Sequence, residues 1–165
     1  MTPLGVWTIA FREMLQTETA VGECVHRNWG GGKDETPAPK RVLLADDDLF
    51  LRAIVKKVVS SVGHEVDTAS DGEEAWEALH ATRYDLLVTD HSMPRLTGLS
   101  LILRLRAESP SPPCILISAS LPLPEPELRR LVHPGVAFEK QFLRSRLVEA
   151  MRDLMSDDSP PAVTA

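Results

Sequence analysis

Across residues 41–155, short apolar runs alternate with segments whose apolar residues recur every three or four positions. Few folds satisfy that alternation. Runs of four or five apolar residues are the length of a buried strand, and the three-to-four spacing is that of an amphipathic helix. Strand and helix in turn are the signature of βαβ units on a parallel sheet. The spacing predicts strands over residues 42–45, 65–69, 84–89, 115–117 and 136–139. Leu51, Ile54, Val55, Val58 and Val62 mark a first helix that stops at Gly63, and Ser70-Asp71 caps a second carrying Ala75, Ala78 and Leu79. A third helix falls on residues 99–105, and Leu143, Leu147, Met151 and Leu154 line one face of a last one. Pro122, Pro124 and Pro126 interrupt the fourth, which is expected to start at about Pro126 and to be short, because each proline fixes φ and removes a donor. The result is five βα units without internal sequence repeat.

The segment before residue 40 reads differently. Gly30-Gly31-Gly32 leads into a polar stretch with Pro37 and Pro39, a linker composition. Residues 1–39 are expected to be a poorly ordered extension, residues 40–155 the folded domain, and residues 156–165 a disordered tail. Within the extension residues 6–15 allow one short amphipathic helix, marginal alone. The Gly-Gly-Gly-Lys run is no phosphate-binding loop, since Asp34 stands where Ser or Thr is needed. Cys24 and His26 lack a second ligand pair, so no metal site is expected there. Cys24 and Cys114 are far apart and read as reduced thiols, which with the absence of a signal peptide or membrane span points to a cytoplasmic protein. A net charge of -6 without a basic stripe argues against nucleic acid as a partner.

Four of the strands end in chemistry. The first runs into Asp46-Asp47, the third into Asp90, the fourth into Ser118 and the fifth into Lys140. In an open parallel sheet the carboxyl ends lie side by side, and ligand binds in the crevice outside them. Magnesium is a hard cation that takes oxygen ligands, usually one or two carboxylates together with phosphate oxygens. Asp46, Asp47 and Asp90 on adjacent strands would supply these, and their mutual repulsion predicts a raised pKa in the cluster that a divalent cation relieves. A carboxylate beside such an ion can attack phosphorus, and Asp90, at the end of the central strand, is the candidate. Ser118 and Lys140 would donate to the transferring group. Taken singly, an Asp after a strand is as often a helix N-cap, a Ser a turn residue and a Lys a solvated charge. It is the agreement of four strand ends that makes a site.

These residues carry a resemblance. Val42-Leu43-Leu44-Ala45-Asp46-Asp47-Asp48, then Leu87-Val88-Thr89-Asp90-His91-Ser92-Met93-Pro94 followed by Gly98, then Ile115-Leu116-Ile117-Ser118-Ala119, and finally Phe138-Glu139-Lys140, resemble the CheY-like receiver domain of two-component response regulators. The resemblance implies a flavodoxin-like, doubly wound (βα)5 sheet of strand order 2-1-3-4-5. It implies that Asp90 accepts a phosphoryl group from a histidine kinase or histidine phosphotransfer protein. It also implies that Asp47, Asp90 and the Ser92 carbonyl bind Mg2+ directly, that Asp46 acts through water, and that Ser118 and Lys140 contact the phosphoryl group. On the same ground Ser92 and Ser120 help set phosphoryl lifetime, and the protein is a signalling receiver acting through a downstream protein target, with no enzymatic activity beyond its own phosphorylation and dephosphorylation. With no output domain read after residue 155, it is expected to be a stand-alone regulator, a phosphorelay carrier or the end of a hybrid kinase.

The chain departs from the family pattern at its fifth strand. Gln141 follows Lys140 where the family has a proline in a cis bond, and a non-proline cis bond costs about 3 kcal/mol, so a trans bond is expected. Ala137 stands where the switching aromatic usually lies, with Phe138 facing the other side of the sheet. Two alternatives compete. A phosphorylation-independent interaction module fits Gln141, Ala137 and the three prolines. A haloacid-dehalogenase-like phosphatase would use Asp46 as nucleophile and Asp48 as acid and base, but lacks that family's final acidic pair, since Asp157-Asp158 lies in the tail. His91 beside Asp90 is expected to face solvent and is given no role.

Overall fold

The computed structural model describes residues 38–108 and 110–156, and the readings for residues 1–37 and 157–165, Cys24 and His26 included, fall outside them. The elements are β1 (Arg41–Ala45), α1 (Leu49–Ser61), β2 (Glu65–Ala69), α2 (Gly72–Ala81), β3 (Leu86–Asp90), α3 (Gly98–Arg106), β4 (Cys114–Ser118), α4 (Glu125–Val132), β5 (Gly135–Glu139) and α5 (Leu143–Met155), with a 3-10 turn over Lys140–Phe142. All strand pairs are parallel, in the order β2-β1-β3-β4-β5. This is the flavodoxin-like order. Its direction reverses between β1 and β3, and such a reversal opens a crevice at the carboxyl ends.

Period-2 alternation sorts the strand residues into two cores. Leu43, Leu87 and Leu116 pack with Leu101, Leu105 and Leu128 on one side. Val42, Leu44, Val88, Ile115, Ile117 and Phe138 pack with Val55, Val59, Leu147 and Met151 on the other. Phe138 is thus turned away from Ala137, which joins the first cluster, as the alternation requires. Every residue of β3 and β4 is buried, the mark of central strands covered on both faces.

Most boundaries shift by a residue or two from the sequence expectation, and three differences have a local reason. β3 starts at Leu86 and not Tyr84: the Asp85 N–H donates to Arg41 O at 2.8 Å, but the Arg41 N–H donates to the Asp85 side chain at 2.7 Å and not to a backbone carbonyl. α4 begins at Glu125, so Pro126 occupies its second position, where the missing N–H leaves no bond unmade. The core face of α1 centres on Val55 and Val59, while Val62 is 43% exposed at the C-cap. Arg106 closes the end of the sheet remote from the acidic strand ends, donating to the carbonyls of Pro112, Val132 and Pro134 and to the Cys114 thiol. Cys114 is free, and burial pushes its thiol up to about 11.

Candidate functional site

Asp46 follows β1 directly. Its backbone N–H donates to Ala69 O at 3.2 Å, its Oδ1 accepts from the Asp48 N–H at 2.8 Å, and Arg52 donates to its carbonyl. The side chain is therefore fixed before any ligand arrives. Asp48 itself caps α1, accepting from the N–H groups of Phe50 and Leu51, which removes it from the role of acid and base that the phosphatase reading needs. Asp90 is the last residue of β3 and only 3% exposed, like Asp46. Carboxylate oxygens of Asp46, Asp47 and Asp90 lie within 4.8 Å of one another.

Lys140 enters from the end of β5. Its Nζ stands 3.0 Å from Asp90 Oδ2 and 3.7 Å from Asp46 Oδ2. The bond to Gln141 is trans, as expected, since the cis bond among the described residues is His133–Pro134. One cation thus faces three carboxylates, and the balance is unfavourable. Burial raises the Asp46 carboxyl to about 6; the Asp48 N–H and Lys140 oppose the rise, and Asp90 and Asp47 add to it. The raised pKa expected of the cluster falls on Asp46.

Asp90 Oδ1 is buried and has no hydrogen-bond partner. A buried carboxylate oxygen without a donor is costly, and here it sits among hard oxygen ligands suited to Mg2+. The residues fit that ion.

Two residues sit differently from expectation. Ser118 ends β4 and is 2% exposed, but its hydroxyl donates to the Ser120 carbonyl. It lies beside the cluster and is engaged within its own loop. His91 is only partly exposed, and its Nδ1 is buried without a partner. It does not simply face solvent. Ser92 lies on the exposed β3–α3 loop, whose backbone is closed by Met93 N–H and Gly98 N–H donating to His91 O at 3.2 and 3.0 Å. Gly98 is required there, since a Cβ would stand 2.0 Å from Asp90 O.

Sequence reasoning missed the anchor of this loop. Arg95 adopts a left-handed conformation, φ 65, which costs a non-glycine residue about 1 kcal/mol, and pairs with Asp71. Asp71 is 8% exposed and caps α2. Burial tends to raise its carboxyl, but Arg95 and the N–H groups of Glu74 and Glu73 hold it below the ordinary range. Nothing in the sequence links residues 24 positions apart.

The family model for the response regulator receiver domain matches residues 42–152. The chain belongs to the response regulator receiver family. The gliding motility regulatory protein of Myxococcus xanthus is 43% identical over 98 residues, 58% of this chain and 12% of that protein. Among solved structures, the receiver domain of Francisella response regulator 1452 is similar with a TM-score of 0.65 and 30% identity, covering 70% of this chain and 96% of that one. The Thermotoga maritima response regulator TrrA, solved in complex with Mg2+ and BeF, is similar with a TM-score of 0.61 and 29% identity over 70% of this chain and 98% of that one. The chain spans about half or less of the length of the curated relatives it matches. This receiver places Asp46, Asp47, Asp90 and Lys140 in one cluster. Among its described residues no helix is long and apolar enough to cross a membrane.

Proposed function

We propose that Asp90 is the phosphoacceptor of a two-component system or phosphorelay, receiving its phosphoryl group from a histidine kinase or histidine phosphotransfer protein. A carboxylate oxygen of Asp90 attacks phosphorus, the O–P bond forms, and the P–N bond to the donor imidazole breaks with its electron pair leaving on nitrogen. Asp46, Asp47, Asp90 and the Ser92 carbonyl would hold Mg2+, which neutralises charge on the transferring oxygens when bound. Lys140 stabilises the phosphoryl oxygens, and its 3.0 Å contact with Asp90 orients the carboxylate beforehand. The Ser118 hydroxyl becomes a hydrogen-bond donor to the phosphoryl oxygens by giving up the Ser120 carbonyl. The phosphorylated receiver then acts in the cytoplasm through a downstream protein partner. We assign the receiver function to residues 40–155.

The observation that carries this reading is the buried, unpartnered Asp90 Oδ1 within an acidic cluster that Lys140 reaches. The test is incubation with Mg2+ and acetyl phosphate, followed by intact mass and mapping of any acyl phosphate. A Mg2+-dependent adduct on Asp90, lost in Asp90→Asn, is expected. No adduct with any small-molecule or phosphohistidine donor would instead identify a phosphorylation-independent interaction module.

A further inference from the structure

Of the loop that joins Asp90 to α3, Met93 is the side chain sunk into the core, while Ser92 is exposed. The direction of the Ser92 carbonyl therefore depends on how the loop backbone is held. One hold is internal, the two bonds to His91 O. The other lies across the molecule. Arg95 reaches from its left-handed backbone position to Asp71, and the Leu96 carbonyl lies so close to α2 that a Cβ at Gly72 would stand 2.1 Å from it.

We propose that the Arg95–Asp71 ion pair positions the β3–α3 loop for cation binding, so that two residues outside the acidic cluster set its affinity for Mg2+. The inference rests on the reading of the cluster as a Mg2+ site. Asp71 already accepts the N–H groups of Glu73 and Glu74 at 2.9 and 3.0 Å, so α2 is capped without Arg95. The Arg95 side chain is 58% exposed and that of Asp71 11%, so solvent screens the pair from one side and its contribution to stability is modest. The pair is thus only in part explained as a stabiliser of the fold, and it also sets a fixed distance between α2 and the loop. Outer groups that orient metal ligands commonly change affinity by tenfold or more.

Two substitutions separate position from stability. Asp71→Asn keeps a good N-cap and removes the charge. Arg95→Gly removes the guanidinium and suits the left-handed backbone. Mg2+ affinity is read by titration calorimetry and thermal stability by circular dichroism without the ion. Each variant is expected to bind Mg2+ about tenfold more weakly with only a small fall in melting temperature, the double variant no worse than the weaker single, and Arg95→Lys between the wild type and Arg95→Gly. Wild-type affinity in both single variants would overturn the proposal, as would an affinity loss matched by an equal loss of thermal stability. A wild-type protein that binds no Mg2+ would remove the underlying reading itself, a result distinct from either.

Discussion

The carboxyl ends of β1 and β3 and the flank built from β4, α4 and β5 belong to one sheet, yet they are organised on opposite principles. At β1 and β3, two buried carboxylates, Asp46 and Asp90, and the exposed Asp47 are held within 4.8 Å of one another at the expense of stability. On the flank Ser118 is bonded to Ser120, Ala137 joins an apolar cluster, and Pro122 and Pro124 stiffen the approach to α4 with Pro126 in its first turn. Like charge is crowded at the first, while at the second the Ser118 hydroxyl is taken up by a local bond. The lesson is that the sheet alone brings the carboxylates together, whereas loop and helix sequence set how the flank is held.

The largest test asks whether Phe138 belongs to the core or to the switch. It is 2% exposed and packs in the cluster with Val55, Val59 and Leu147, with the Arg146 guanidinium 5.4 Å from its ring centroid. Phe138→Ala should cost about 3 to 5 kcal/mol in urea unfolding, as truncating a buried aromatic does. Mg2+-dependent phosphorylation of the folded fraction should persist. Near-wild-type stability would mean that the ring is no part of the core, and would return Phe138 to the flank as a mobile group.

A smaller effect of opposite sign is expected at the acidic end. Asp46 titrates at about 6 in the folded chain against an ordinary 3.8. A raised carboxyl pKa contributes stability below the ordinary value that is lost as pH rises through the folded one. Roughly two units correspond to about 3 kcal/mol at most, and losing the Lys140 contact offsets part of it. In EDTA at pH 7, Asp46→Asn should therefore be more stable than wild type by about 1 to 2 kcal/mol. The gain should fade as pH falls below about 6, and saturating Mg2+ should reverse it. An Asp46→Asn protein less stable than wild type in EDTA would show that the cluster is not strained.

How much of this was legible in sequence follows from the range of the interactions. Alternating periods place the five strands and four of the helices, the prolines place the short fourth helix, and the apolar run before Asp90 marks its strand as central, because burial on both faces is a property of the run itself. Asp46, Asp47, Asp90 and Lys140 could be assembled because parallel strand ends are neighbours by topology. The start of β3 was not legible, since it depends on the Asp85 side chain taking the Arg41 N–H from across the sheet. The Arg95–Asp71 pair was hidden for the same reason, and so was the engagement of Ser118 with Ser120, a choice of rotamer that no spacing records.

The contrast between the two regions turns on burial, and the seam of α2 with α3 shows the same kind of charge in the open. His80 Nδ1 lies 2.8 Å from Trp76 O and its Nε2 2.8 Å from Glu108 Oε2. Both partners are acceptors, so both nitrogens are satisfied only in the imidazolium. The ring is half exposed and stacks 4.2 Å from Trp76, over which Arg104 lies at 3.9 Å. The Trp76 carbonyl and then Glu108 raise its pKa, against some opposition from desolvation and from Arg104. A raised His value gives stability that is present below 6.5 and lost as pH rises through the folded value; solvent screening keeps the contribution small. An NMR titration of the His80 ring should give a midpoint above 6.5, and Glu108→Gln should lower it only in part, because the Trp76 carbonyl remains. Melting temperature should hardly move. A wild-type midpoint at 6.5 would mean that solvent screens this pair completely, and the difference between it and Asp46 would then measure what burial alone does to a charge in this fold.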